Sequence, residues 1–179
     1  MRKTSIVFLG FFTAVFFGCA SAPSTRPDQR ALEARADATV EHFVTRDPTL
    51  RPLLAEAPGY VVFPEIAAAG FVVGAEGGVG VVYEHGRPIG YAELQEANIG
   101  AQIGGQSYSQ IIVFETEGAL NRLKAGNFDL SASATATAVT AGAAASTRFE
   151  GGTAVFIDNQ AGLMASATVG GERMVFRAK

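Results

Sequence analysis

The chain has 179 residues, 48% of them hydrophobic and 17% charged, with a formal net charge of −3. So much apolar content excludes a disordered acidic chain, and the near-balance of charge excludes a generic polyanion binder, so no nucleic-acid partner is expected. A single cysteine excludes an intramolecular disulfide framework and a Cys-x-x-Cys zinc cluster. No Trp, 21 glycines and many alanines predict a core of small side chains, and the length suits one domain.

The amino-terminal segment reads as an export signal. Arg2 and Lys3 precede twelve uncharged residues, Ile6 to Phe17. A helix that spans hydrocarbon needs about 20 apolar residues, so this run is too short to cross a membrane and has the length of a signal peptide's apolar region. Phe16-Phe17-Gly18-Cys19 resembles a bacterial lipobox. The resemblance implies cleavage after residue 18 and acylation of Cys19. Ala20 follows, and the absence of Asp there implies sorting to the periplasmic face of the outer membrane. Two or more acyl chains hold a protein stably where one does not. Loss of residues 1–18 removes Arg2 and Lys3 and no acid, so the charge of −3 becomes −5 over 161 residues. Such a body is repelled by an anionic surface unless cations cluster locally.

Residues 19–27 read as a lipidated tether and 28–179 as the folded domain. Ala20 to Pro27 is rich in Pro, Ser and Thr. Helical spacing begins near Asp28, with Leu32, Ala36, Thr39 and Phe43 on one face. Arg30, Glu33, Asp37 and Glu41 form the opposite stripe, at spacings that permit ion pairs along the helix. Asp47-Pro48 predicts an N-cap and first position for a second short helix through Leu50, Leu53, Leu54 and Ala57, which Pro58-Gly59 ends.

From Tyr60 the texture becomes that of strands. Residues 60–63, stopped by Pro64, are followed by 70–76, 79–85, 89–94, 98–105 and 107–115, with Gly-rich or Pro-containing turns between them. Residues 116–124 predict one helix with Thr116 as N-cap and Ala119, Leu120 and Leu123 on one face. Segments 128–139, 152–158, 161–169 and 172–177 complete the β-rich half. In 130–138 alanines alternate with Ser and Thr, which places the alanines on one side of a strand and the hydroxyls toward water; a low-complexity loop is the alternative. The fold class expected is α+β: a β-rich curved antiparallel sheet or barrel-like sandwich with an N-terminal amphipathic helix and short additional helices. Phe63, Phe71, Val72 and Val73 are expected in its core.

No constellation carries a reaction. Gly78-Val79-Gly80 leads into Val81-Val82-Tyr83, a strand rather than the helix that a dinucleotide loop requires. His42 and His85 have no second ligand at metal spacing. Glu65, Glu76, Glu93, Glu96 and Asp158 could gather in space as a hydrolase pair, although nothing in the sequence brings any two together. Arg26, Arg30, Arg35, Arg46 and Arg51 lie nearest the anchor and are the candidate contacts to lipid phosphates. Their acidic neighbours make an ion-paired, solvated surface the alternative. Arg122 and Lys124 close the helix 116–124, where cations meet the negative end of its dipole.

Gly59-Tyr-Val-Val-Phe-Pro64, Ala69-Gly-Phe-Val-Val-Gly74, Gly77-Gly-Val-Gly80 and Asn98-Ile-Gly-Ala-Gln-Ile-Gly-Gly-Gln106 together resemble the SYLF domain family. Gly126-Asn-Phe-Asp-Leu130, Ala132-Ser133-Ala134 and Gly162-Leu163-Met164-Ala165 are similar to its second half, so the resemblance covers about residues 30–178. Bacterial members are often lipoproteins. Eukaryotic members bind phosphatidylinositol lipids and, in yeast endocytic adaptors, actin filaments. The resemblance implies a non-enzymatic module that contacts phospholipid or lipopolysaccharide, with membrane lipid as its partner through Cys19 and the folded domain, and with no cofactor and no metal. Residues 28–47 are acid-rich where the eukaryotic lipid activity goes with a basic amphipathic segment, so actin is not among the expected partners. Two alternatives stay open: a structural envelope protein that holds protein partners through its sheet edges, and a hydrolase built from gathered carboxylates.

Overall fold

The computed structural model describes residues 21–70, 73–99, 104–126, 128–129, 136–159 and 173–179. The expected signal peptide, Cys19, Phe71, Val72, most of the alternating segment and the expected strand 161–169 lie outside the described residues. The described elements are helices α1 (Arg26–Arg46), α2 (Leu50–Glu56), α3 (Glu117–Lys124) and α4 (Ala143–Ser146). The strands are β1 (Gly59–Gly70), β2 (Val73–Glu84), β3 (Arg87–Ile99), β4 (Gly104–Phe114), β5 (Phe128–Asp129), β6 (Ala136–Ala138), β7 (Thr153–Asn159) and β8 (Arg173–Ala178). The strands form one open sheet in the order β5-β8-β3-β2-β1-β4-β7-β6. Its pairs are antiparallel except β6 on β7. The α+β class holds, and the sheet is not closed into a barrel.

Two apolar clusters, one on each face of the sheet, form the core. Val61, Phe63, Val82, Ile112, Phe114, Val155 and Met174 point to one face, with Ala119, Leu120 and Leu123 of α3. Tyr60, Val62, Val81, Tyr83, Tyr91, Ile111, Val113 and Phe156 point to the other, with Ala36, Phe43 and Val44 of α1, Leu50 and Leu54 of α2 and Ala144 of α4. Covering both faces explains why the central strands are continuous apolar runs such as Tyr60-Val-Val-Phe63 and Ile111-Ile-Val-Phe114 instead of alternating ones.

Several boundaries differ from expectation. Pro64 does not end β1; the register on both β2 and β4 shifts beside it, between residues 62–63 and Ile66. A bulge removes the need for the missing N–H at that point. Likewise the expected break between 76 and 79 is absent: β2 runs from Val73 to Glu84 through Gly77 and Gly78, which pair with Ala67 and Ile66. At the β2–β3 turn His85 has φ 48° and Gly86 φ 73°, two successive left-handed residues as a tight twisted hairpin requires. The expected N-cap Asp47 instead ends α1, and α2 starts after Thr49. Asp47 accepts from the backbone N–H groups of Thr49, Gly142 and Ala144 at 3.0, 3.0 and 2.7 Å, so its carboxylate splices the α1–α2 corner to the start of α4. In β6 Ala138 is exposed and Thr137 half-buried, the reverse of the expected alanine-inward face. Helix α3 with its Thr116 cap stands as expected.

Helix α1 begins at Arg26, two residues earlier than its periodicity suggests, because Thr25 caps it and Pro27 fits the first turn. It crosses the sheet from β3 to β7. Its expected inner face is right: Ala36, Thr39 and Phe43 are buried, and Leu32 packs at the margin.

Candidate functional site

The polar stripe of α1 does not pair with itself. Tyr91 Oη on β3 donates to Glu33 at 2.8 Å, and Tyr83 Oη on β2 donates to Asp37 at 2.8 Å. Glu41 instead pairs with Arg51 of α2 at 2.9 Å. The four-residue step from Glu33 to Asp37 is one helical turn, about 6 Å, and matches the offset of two tyrosines on adjacent strands. Burial pushes the Tyr83 and Tyr91 phenols up, and the carboxylates they meet push them further, so both remain neutral donors.

The candidate lipid-contact arginines separate into two groups. Arg35 pairs with Glu65 of β1 at 3.0 Å, Arg46 with the buried Asp158 of β7 at 2.8 Å, and Arg51 with Glu41. His42 joins Asp158 through Nε2 at 2.6 Å. These three arginines serve the ion-paired surface that was the alternative, although the partners of Arg35 and Arg46 come from the sheet and not from their own helix. Arg26 and Arg30 are different. Among the described residues no carboxylate lies within ion-pair distance of either. With Gln29, Glu33 and Lys179 they line a cavity of about 390 Å³ between the start of α1 and the end of β8.

This basic cavity is built by two parts of the chain far apart in sequence. Arg26, Gln29, Arg30 and Glu33 recur every three or four residues and share one side of α1's first turns. Lys179 arrives from β8 and reaches Glu33 at 2.7 Å, while its backbone N–H donates to Ile89. Burial raises the Glu33 carboxyl, but the hydrogen bonds from Lys179 and Tyr91 and the nearby Arg30 charge outweigh that and hold it below the usual range. The positive end of the α1 dipole adds to the cations. The arrangement can hold an anionic oxygen cluster such as a phosphate.

The expected tether is seated rather than free at its inner end. Ala22 N–H donates to Glu93 of β3 at 2.8 Å, and Gln29 reaches the Pro23 carbonyl at 3.4 Å. The chain therefore enters the domain beside the basic cavity. A second cavity, about 260 Å³, lies on the other flank of α1 and is lined by Leu32, Arg35, Glu65, Ala67, Gly77, Gly78 and Val79. It holds the Arg35–Glu65 pair, both 57% exposed.

Of the carboxylates that could have formed a hydrolase pair, Glu76 and Glu96 are register partners on β2 and β3, and Glu65, Glu93 and Asp158 are engaged elsewhere. Glu65 is with Arg35, Glu76 accepts from Tyr108 at 2.6 Å, Glu93 holds Ala22, and Asp158 holds His42 and Arg46. Arg122 reaches the Gly151 carbonyl and Lys124 pairs with Glu84 at 2.8 Å, so each has a partner beyond the α3 dipole. The expectation missed Gln29, Glu33, Tyr91 and Lys179. The signal was present for Lys179: Arg173, Val175, Arg177 and Lys179 alternate with Met174 and Phe176, the pattern of a strand with one basic face.

Comparison with known proteins agrees with the expected family. Over 153 residues, 84% of this chain, the sequence is 25% identical to beta cell expansion factor A of Aeromonas veronii. The chain spans 58% of that protein's length. Residues 95–179, which include β4, β7, β8 and Lys179 of the basic cavity, match the family Ysc84, described as Las17-binding protein actin regulator. The match of residues 95–179 to Ysc84, the family of the SYLF domain, thus agrees with the family that the sequence resembles.

Proposed function

We propose that this protein is a membrane-tethered, non-enzymatic lipid-binding module. It is anchored through acylated Cys19 at the periplasmic face of the outer membrane and contacts phospholipid or a similar anionic amphiphile. The observation that carries the reading is the basic cavity of Arg26, Arg30 and Lys179, placed where the chain arrives from Cys19. A body of −5 presents Arg26 and Arg30, which have no ion-pair partner among the described residues, at the one end that such an anchor would bring to a membrane. Each cation near an anionic surface contributes about 1 kcal/mol, so local clustering outweighs the distant net charge within a Debye length.

The test is flotation of the unacylated chain from residue 20 onward, which keeps every described element, with vesicles of anionic or neutral phospholipid or lipopolysaccharide. Co-flotation with anionic vesicles that weakens with salt is expected. A chain that stays at the bottom with every composition overturns lipid contact by the folded body. Mass spectrometry of the native protein tests the anchor, and an unmodified Cys19 overturns it.

A second reading is a protein-binding role through the sheet edge. Among the described residues β5 covers β8 only at Met174 and Arg173, which leaves an edge of the kind that accepts an added strand. The family description, which names a protein that binds Las17, supports the same reading. Retention of a partner by lipid-free protein, lost on insertion of Pro at Val175, distinguishes it from lipid contact.

A further inference from the structure

We infer that the outward face of β8 (Arg173, Val175 and Arg177) with the following Lys179 is the surface that seats the domain on the phosphate layer of the bilayer. This rests on the lipid-binding reading above and adds the face, the orientation and the part played by the carboxyl-terminal strand.

Met174 and Phe176 turn into the core cluster shared with α3, so residues 173, 175, 177 and 179 turn the other way, to the side that carries α1. Val175 is 41% exposed, and among the described residues it is the large apolar side chain most open to solvent. Arg177 and Lys179 are 60% and 42% exposed, whereas the carboxylates they meet, Glu93 and Glu33, are 13% and 19% exposed. The acids therefore lie beneath and the cations form the outer layer. Asp129 stands opposite Arg173 in register, and Asp28 is engaged with Thr25. Arg26 and Arg30 continue the cationic layer from the start of α1. A valine between two arginines lets an apolar group enter the headgroup boundary while long cationic side chains reach phosphate.

The anchor fixes which end meets the bilayer. Glu93 holds Ala22, three residues from Cys19, and three residues of chain span at most about 11 Å. Val175 is the register partner of that same Glu93. The point at which the tether is held and the exposed valine thus lie on paired residues of adjacent strands.

The chain contains no Trp, so Val175→Trp and Thr140→Trp give single reporters near opposite edges of the sheet. The acylated full chain is placed in phosphatidylglycerol or phosphatidylcholine vesicles with brominated acyl chains. Emission at 175 is expected to shift to the blue and to be quenched several-fold more than at 140 in the anionic vesicles. Arg173→Gln with Arg177→Gln reduces the quenching toward the level at 140 while the protein still floats through its acyl chains. Both arginines are exposed, and the single Arg177→Gln gives a smaller loss in the same direction. Equal quenching at 175 and 140, or quenching at 175 that ignores the arginine substitutions, overturns the inference alone. A chain that does not float with any vesicle overturns the lipid reading beneath it as well.

Discussion

The Tyr83 hydroxyl on β2 donates to the Asp37 carboxylate on α1 at 2.8 Å, and the same contact recurs one helical turn earlier between Tyr91 and Glu33. Two carboxylates on a helix are thus held by two phenols on adjacent strands. Asp37 is exposed, whereas the tyrosines are buried and Tyr83 stacks on Tyr60 at 4.8 Å. The pairing ties α1 to the sheet in the rotation that leaves Arg26, Arg30 and Lys179 around one cavity.

Tyr83→Phe and Tyr91→Phe keep the rings and remove the two bonds. Each is expected to lower the unfolding free energy by about 1 kcal/mol, since hydrogen bonds to charged groups contribute about 1.5–3 kcal/mol in full and these carboxylates regain water in part. Urea denaturation is the measurement. Unchanged midpoints in both variants would show that α1 is held by its apolar face alone.

Asp47→Ala is expected to cost more, about 3 kcal/mol, because three backbone N–H groups and the Thr49 hydroxyl lose their acceptor at once. Burial raises this carboxyl, and the bonds from Thr49, Ala144 and Gly142 more than reverse that, so it lies below its ordinary value in the folded protein. An unfolded chain therefore binds more protons than the folded one near pH 4, and stability falls as pH drops below about 5 through the folded value. Glu33 acts in the same direction. Thermal melts between pH 3 and 7 should show Asp47→Asn losing a smaller share of its stability on acidification than the parent.

Gly90→Ala and Gly77→Ala provide a matched pair within the sheet. A Cβ at Gly90 would lie 2.4 Å from the Arg177 carbonyl and 2.6 Å from the Phe176 ring, so β8 has to move. At Gly77 the nearest atom is 3.6 Å away, an ordinary contact. The first substitution is expected to cost about 2–3 kcal/mol as overpacking does, and the second to stay within about 0.5 kcal/mol. Since Lys179 directly follows β8, Gly90→Ala should weaken anionic vesicle binding by the folded fraction too, whereas Gly77→Ala should not.

Arg35→Ala and Asp158→Ala contrast an exposed ion pair with a buried carboxylate. Arg35 and Glu65 are each 57% exposed, so loss of their bond should cost under about 0.5 kcal/mol. Asp158 is 5% exposed and accepts from both His42 and Arg46, and its loss should cost about 2–3 kcal/mol. Equal midpoints for the two variants in denaturant would remove the α1–β7 tie from the account.

The sequence by itself determined the α+β class, the inner face of α1, the capped helix α3, the strand-like glycines and the resemblance to the SYLF family, because each is written in local periodicity or in an ordered set of short motifs. Its stop at Pro64 and its break at Gly77-Gly78 were misleading, because a bulge and pairing on both sides carry a strand through residues that would end it in isolation. Of the candidate arginines, the sequence could rank none above another, since charges distant in sequence decide which are neutralised. Only the tertiary structure gave Arg35 to Glu65 and Arg46 to Asp158, left Arg26 and Arg30 beside Lys179, and turned the carboxylates of α1 toward Tyr83 and Tyr91. A side chain's own residue type fixes its charge, but the order of the strands fixes what stands opposite it.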